Sequence, residues 1–269
     1  MLRELPGAQL PENKDAATLH TLEMSAQHLR YSASVLRRIL RSFSRGVVLK
    51  RRLPKEFGRT PLFVYPEATL AYWRHDLCSV DPFLLSIAHE LVRPSMSVWD
   101  VGANVGLFSF AAAALGANVL AIEPDTWLAN LIHQSARMNK LPVTVVPAAV
   151  SDCHGIARLY LSNEGRASNS LFGAGVAQTV IAVTLDSLLD DFPAPKVLKI
   201  DVEGLEYAVL KGASRVLQAR PQIFIEVTDH LGEIAELFRQ AGYEMYAARD
   251  AGRQALTRPS RDTLAIPKL

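Results

Sequence analysis

The feature that most limits the fold is the stretch Val98-Trp99-Asp100-Val101-Gly102-Ala103-Asn104-Val105-Gly106-Leu107-Phe108. A short apolar run carrying an acid passes through Gly-x-Asn-x-Gly and enters an alanine-rich pattern that continues to Leu115. That order predicts a strand, a tight turn and a helix. Gly102 and Gly106 let the main chain turn sharply and let a ligand approach the backbone. The next apolar run, 118–122, leads to Glu123, twenty-one residues after Gly102. An acid at the tip of a second strand can accept both hydroxyls of a ribose. Together these residues predict a nucleotide-type pocket at the carboxyl ends of two adjacent parallel strands.

A dinucleotide fingerprint needs Gly-x-Gly-x-x-Gly, whereas Asn104 holds the second glycine position here and the third glycine is missing. The bulkier turn leaves less room for a pyrophosphate. It suits a ligand with a compact, charged amino-acid end, and S-adenosylmethionine is the expected cofactor. Asp100, Gly102, Asn104, Gly106 and Glu123 are its candidate residues.

Further strands are predicted at 98–101, 118–122 and 143–147, with helices at 81–91, 104–115 and 126–139 around them. Alternation of this kind predicts a mostly parallel α/β sheet with helices on both faces. The third strand runs into Ser151 and Asp152, a polar pair expected to reach the adenine amino group; a plain turn capped by Asp152 is the alternative. Extra strands are expected over 156–161 and 179–184. The small polar residues between them, 162–170, have the composition of a mobile loop over the ligand edge.

The second chemical stretch runs from Lys196 to Glu206. A buried parallel strand should be almost wholly apolar, yet Lys199, Asp201 and Glu203 recur at every second position. If the chain stays extended, all three point to one face. Burying them is costly unless they pair or serve a ligand. The run 223–227 repeats the theme with Glu226, so Asp201, Glu203 and Glu226 should converge beside the cofactor crevice as the catalytic acids. They also resemble a hard-cation site, but Lys199 on the same face would partly neutralise them, so no metal ligand is assigned. His75 and His230 are weaker candidates for the base.

Toward the N-terminus, Leu19, Leu22, Ala26, Leu29, Ala33, Leu36, Leu40 and Phe43 follow spacings of three and four. The seam over 19–43 fits a homodimer helix or a cap on its own domain. Ten Lys or Arg and one acid lie between Arg30 and Arg59, a cluster that could meet an anionic partner or form a solvated face. Across all 269 residues the formal charge is only +2, which excludes a strong overall nucleic-acid signature. Cys78 and Cys153 are too few and too isolated for a disulfide framework. The start lacks the apolar core of a secretory signal, and 107–122 is too broken to span a membrane. A cytoplasmic protein is expected, with residues 1–80 a basic helical extension and 81–269 the catalytic domain.

From about Asp81 to the end, the chain resembles the FkbM-type S-adenosylmethionine-dependent methyltransferases. The resemblance rests on Asp100-Val-Gly-Ala-Asn-Val-Gly106, Ile122-Glu-Pro-Asp125, Thr184-Leu-Asp186, Lys199-Ile-Asp-Val-Glu-Gly-Leu-Glu206, Leu210-Lys-Gly-Ala213 and Glu226. It implies a Rossmann-like class I sheet of seven strands with the last antiparallel, its final two at 243–248 and 263–266. It also implies methylation of oxygen on a sugar, polyketide or other hydroxylated natural-product intermediate. Two rivals stay open: an RNA methyltransferase using segment 30–59, and an NAD-dependent oxidoreductase, which would want glycine at 104.

Overall fold

A computed structural model describes residues 43–44, 46–162, 170–171, 176–250 and 252–268. All of the 19–43 seam except Phe43, and most of the polar loop expected over 162–170, lie outside the described residues. The chain divides into two compact units, Met1–Phe43 and Ser44–Leu269. The boundary expected at 80/81 falls inside the second.

That unit opens with a hairpin, β1 (Leu49–Arg52) and β2 (Pro61–Val64). The helix α1 (Pro82–Leu91) follows, its first turn capped by Asp81, which accepts from the Leu84 amide at 2.9 Å. Strand and helix then alternate: β3 (Ser97–Val101), α2 (Leu107–Ala114), β4 (Asn118–Ile122), α3 (Thr126–Asn139) and β5 (Val143–Val146). Three strands form a separate side sheet: β6 (Ala149–Val150), β7 (Gly155–Tyr160) and β8 (Ala177–Val183). The remainder is α4 (Leu185–Leu188), β9 (Val197–Ile200), α5 (Glu206–Lys211), α6 (Ser214–Gln218), β10 (Gln222–Glu226), α7 (Leu231–Gln240), β11 (Tyr243–Ala247), β12 (Ala255–Leu256) and β13 (Asp262–Pro267).

The main sheet has the order β12-β11-β13-β10-β9-β3-β4-β5. Strands β3, β4, β5, β9 and β10 are parallel, and β13 runs antiparallel between β10 and β11. The mostly parallel sheet with an antiparallel last strand matches the expectation, but the sheet has eight strands where seven were expected. The short edge strand β12 makes an eighth.

Side chains along β3 and β9 alternate between two cores, as a pleated strand requires. Val98 and Val197 join the core that includes residues of α1, α2 and α3. Trp99, Val101, Leu198 and Ile200 join the core that includes residues of α5, α6 and α7. Each face of the sheet is thus closed by helices, and the functional edge is left to the turns that follow the parallel strands.

Two expected boundaries differ, each for a local reason. The helix predicted from 104 begins at Leu107, because Gly102, Asn104 and Gly106 all hold positive φ, at 74, 54 and 86°. Three left-handed residues in five preclude a right-handed helix there. Likewise β9 stops at Ile200, so the extended run expected through Glu203 does not form. Glu203 and Gly204 are left-handed, at 52 and 95°, and turn the chain back toward α5.

Candidate active site

The cleft lies at the carboxyl ends of β3, β4, β9 and β10. Gly102, Asn104, Glu123, Asp201, Glu203 and Glu226 all line it, so the structure brings the three proposed acids together with three of the seven predicted cofactor residues.

The glycine turn is held from two sides. A Cβ built on Gly102 would lie 1.8 Å from the Asp201 carbonyl oxygen, so no side chain fits between the turns after β3 and β9. From β4, the Glu123 carboxylate accepts the Asn104 amide at 2.7 Å and the Asp125 amide at 2.9 Å. Burial pushes the Glu123 carboxyl up to about 8, against the pull of those two amides and of the nearby Lys199 ammonium. Among the described residues, the buried Asn104 side-chain oxygen has no hydrogen-bond partner, an unmet acceptor within this turn.

Beneath the floor sits a buried ion pair. Asp100 and Lys199 are direct neighbours across β3 and β9, with Lys199 Nζ 3.0 Å from Asp100 Oδ1. The same ammonium donates to the Gly102 carbonyl at 2.9 Å and lies 3.7 Å from Asp201 Oδ2. Ser109 Oγ donates to Asp100 Oδ2 at 2.6 Å. Burial alone would lower the Lys199 pKa, but the Asp100 and Asp201 carboxylates more than offset it and hold it raised. This network fixes the heights of two turns at once.

The far wall carries the acids. Glu226 accepts both Nε (2.8 Å) and Nη2 (2.6 Å) of Arg261 on one oxygen, Oε1. Burial raises its pKa and the arginine opposes that rise. Glu203, at the rim and open to solvent on one side, is pushed up to about 7. The causes in order are desolvation, then the charges of Asp201, Glu226 and Glu206. Among the three acids, Asp201 has the Lys199 ammonium nearby and Glu226 has Arg261, whereas no cation bonds the Glu203 carboxylate among the described residues.

The other predicted residues lie elsewhere. Asp100 belongs to the ion pair under the floor and does not line the cleft. Gly106 serves packing, since a Cβ there would meet the Phe110 ring at 2.9 Å. Ser151 and Asp152, expected at the adenine, do not line the cleft. They follow β6, whose partner is β8 in the side sheet, and Asp152 pairs outward with Lys211 at 2.6 Å. The backbone ahead of them, Ala148 to Val150, lines the cleft instead. His230 stacks on Tyr207 with ring centroids 5.2 Å apart and does not line the cleft; nor does His75.

Sequence reasoning missed Arg261 and gave Glu206 no role beyond a family motif. Only the acid–apolar pattern of Asp262 to Pro267 hinted that the residue ahead of β13 would face β10. Among the described residues, no three His, Cys, Asp or Glu are grouped to hold a metal ion, and no helix is long and apolar enough to cross a membrane.

A family model described as the methyltransferase FkbM domain matches residues 100–245. The hexuronic acid methyltransferase AglP of Haloferax volcanii is 28% identical over 134 residues, which are 48% of this chain and 55% of that protein. The chain thus spans about half the length of that relative. Among solved structures, a methyltransferase FkbM from Methylobacillus flagellatus KT is similar at a TM-score of 0.44 and 18% identity, covering 74% of this chain and 57% of that one. A precorrin-6y C5,15-methyltransferase from Geobacter metallireducens GS-15 is similar at a TM-score of 0.42 and 15% identity, over 70% and 86%.

Proposed function

The chain belongs to the FkbM family of S-adenosylmethionine-dependent methyltransferases, and from that premise we propose that it methylates a hydroxyl oxygen on a sugar or similarly polar small molecule. The residues fit the cofactor. Each Glu123 oxygen takes one backbone amide and keeps lone pairs for a ribose hydroxyl. The Asn104 side-chain oxygen lacks a donor among the described residues, and the cofactor's amino-acid end carries one. Gly102 keeps the turn free of any side chain. When bound, S-adenosylmethionine supplies an activated methyl on a positively charged sulfur.

What remains for the protein is alignment and removal of one proton. An alcohol proton is hard to remove at neutral pH, so a carboxylate base with a raised pKa is favoured. Glu203 has that character, and its position among Asp201 and Glu226 at the cleft rim is the observation that carries the proposal. The acceptor's hydroxyl proton passes to the Glu203 carboxylate as its oxygen takes the methyl. Glu226, held by Arg261, and Asp201, beside Lys199, are placed to accept hydrogen bonds from neighbouring hydroxyls. The named substrate of the Haloferax volcanii relative, a hexuronic acid, supports a sugar-type acceptor.

The test is a panel of hexoses, uronic acids and hydroxylated metabolites incubated with cofactor and followed by intact mass. The proposal expects a gain of one methyl on a polyhydroxylated acceptor, lowered about a hundred- to ten-thousand-fold in Glu203→Gln. Full activity in that variant would remove Glu203 as the base.

A further inference from the structure

We propose that Glu206, which does not line the cleft, is the positioning residue that sets Glu203 against the acceptor; this rests on the reading of Glu203 as the base. Glu206 opens α5 and is only 2% exposed. Its Oε1 accepts the Gly204 amide at 2.9 Å, and its Oε2 accepts the Thr228 hydroxyl at 3.2 Å. Gly204 immediately follows Glu203, and Thr228 lies two residues beyond Glu226. One buried carboxylate therefore ties the turn bearing Glu203 to the strand end bearing Glu226.

Glu203 needs such a tie. It holds φ at 52°, a left-handed conformation unfavourable for a residue with a side chain, and Gly204 continues it at 95°. Released from Gly204, the turn would relax and carry the Glu203 carboxylate away from the rim. On the opposite side, Ser170 Oγ donates to the Glu203 carbonyl at 3.2 Å, so the backbone of the turn is fixed at successive residues. The Asp201 carbonyl at the start of the same turn presses against Gly102. A displacement here would therefore be felt where the base meets the cofactor turn. Misplacement of about 1 Å can cost about a hundredfold in rate.

The test compares Glu206→Ala with Glu206→Gln. Glutamine can accept from Gly204 through its oxygen and donate to Thr228 through its amide, so it keeps both ties. In the alanine variant, amide hydrogen exchange at Gly204 should rise at least about tenfold. Its turnover should fall about ten- to a hundredfold, with S-adenosylmethionine affinity kept within about threefold. The glutamine variant should restore both readouts to within about threefold of the parent. In a Glu203→Gln background, Glu206→Ala should add no further loss, because the two act through one step.

Normal Gly204 exchange in Glu206→Ala, beside an inactive Glu203→Gln, would overturn the positioning role alone. Full activity of Glu203→Gln would overturn the base reading and this role with it. A glutamine variant as poor as alanine would also overturn the proposal, since geometry would then not be what matters. Should Glu206→Ala fail to fold, Thr228→Val removes one tie only. It should lower turnover about three- to tenfold at unchanged cofactor affinity, and unchanged turnover would count against the proposal.

Discussion

Gly102 and Asp201 meet so closely that the Asp201 carbonyl oxygen occupies the space a side chain at 102 would need. The turns after β3 and β9 are thereby locked together, one carrying Asn104 and the other Asp201 and Glu203. Gly102→Ala would add a Cβ against rigid backbone at φ 74°, a conformation that disfavours any side chain. The expected cost is about 2–4 kcal/mol of stability. Chemical denaturation measures it, and calorimetry should show cofactor affinity at least about tenfold weaker. An alanine variant with parental stability would show that the contact is softer than described.

Lys199→Met should be severe for a different reason. It leaves Asp100 as a fully buried charge whose ammonium partner is gone, and loss of one buried partner costs about 3–5 kcal/mol. Adding Asp100→Asn removes that stranded charge and should recover a large part of the loss. A double variant no more stable than Lys199→Met would show that the Lys199 contact to the Gly102 carbonyl, and not the ion pair, dominates.

These two predictions also mark what the sequence made legible. The strand–turn–helix at 98–115 and the acid at 123 could be read locally, because glycines, apolar runs and acids at strand tips act within a few residues. The cluster of Asp201, Glu203 and Glu226 was also legible, although the reason was only partly right. Alternation places Lys199 and Asp201 on one side, but Glu203 reaches the rim through a left-handed turn that period-two reasoning does not describe. The rest was hidden in pairings between distant segments. Arg261 meets Glu226 only because β13 folds back antiparallel on β10. Ser151 and Asp152 leave the cleft because β6 pairs with β8 instead of extending β5. No local pattern in either segment records those partners.

With Glu123 on the ribose as proposed, its raised pKa should give cofactor binding a pH dependence. Below about 8 the carboxyl is largely protonated, and ionisation strengthens its acceptance of ribose hydroxyls. Affinity for S-adenosylmethionine should rise with pH between about 6 and 8, by up to about tenfold per unit, and then level off. Glu123→Gln should lose the dependence and bind at least about tenfold more weakly at pH 8, from the loss of about 1.5–3 kcal/mol. The stability of the free protein should run the other way. A carboxyl with a raised folded pKa stabilises at low pH and loses that contribution as pH rises toward about 8. Parental affinity that is flat across this range would contradict the assignment.

With Glu203 as the proposed base, Arg261 should set its working pH range. Its guanidinium lowers the Glu203 pKa, against desolvation and the charges of Asp201, Glu226 and Glu206. With Glu203 pushed up to about 7, kcat/KM should climb with pH and reach a plateau above that value. Replacing Arg261 with Met removes the lowering charge, so the climb should move to higher pH, with reduced rates below it. An unmoved profile would separate Arg261 from the acid cluster.

The most direct measurement uses cofactor labelled with carbon-13 in its methyl group, the sugar panel as acceptors, and carbon NMR of the product. The expected result is a single new methyl carbon bonded to an acceptor oxygen, formed by the parent protein and nearly lost in Glu203→Gln. A methyl found on nitrogen or carbon, or an O-methyl product formed at the parental rate by Glu203→Gln, would contradict transfer to a hydroxyl through this carboxylate.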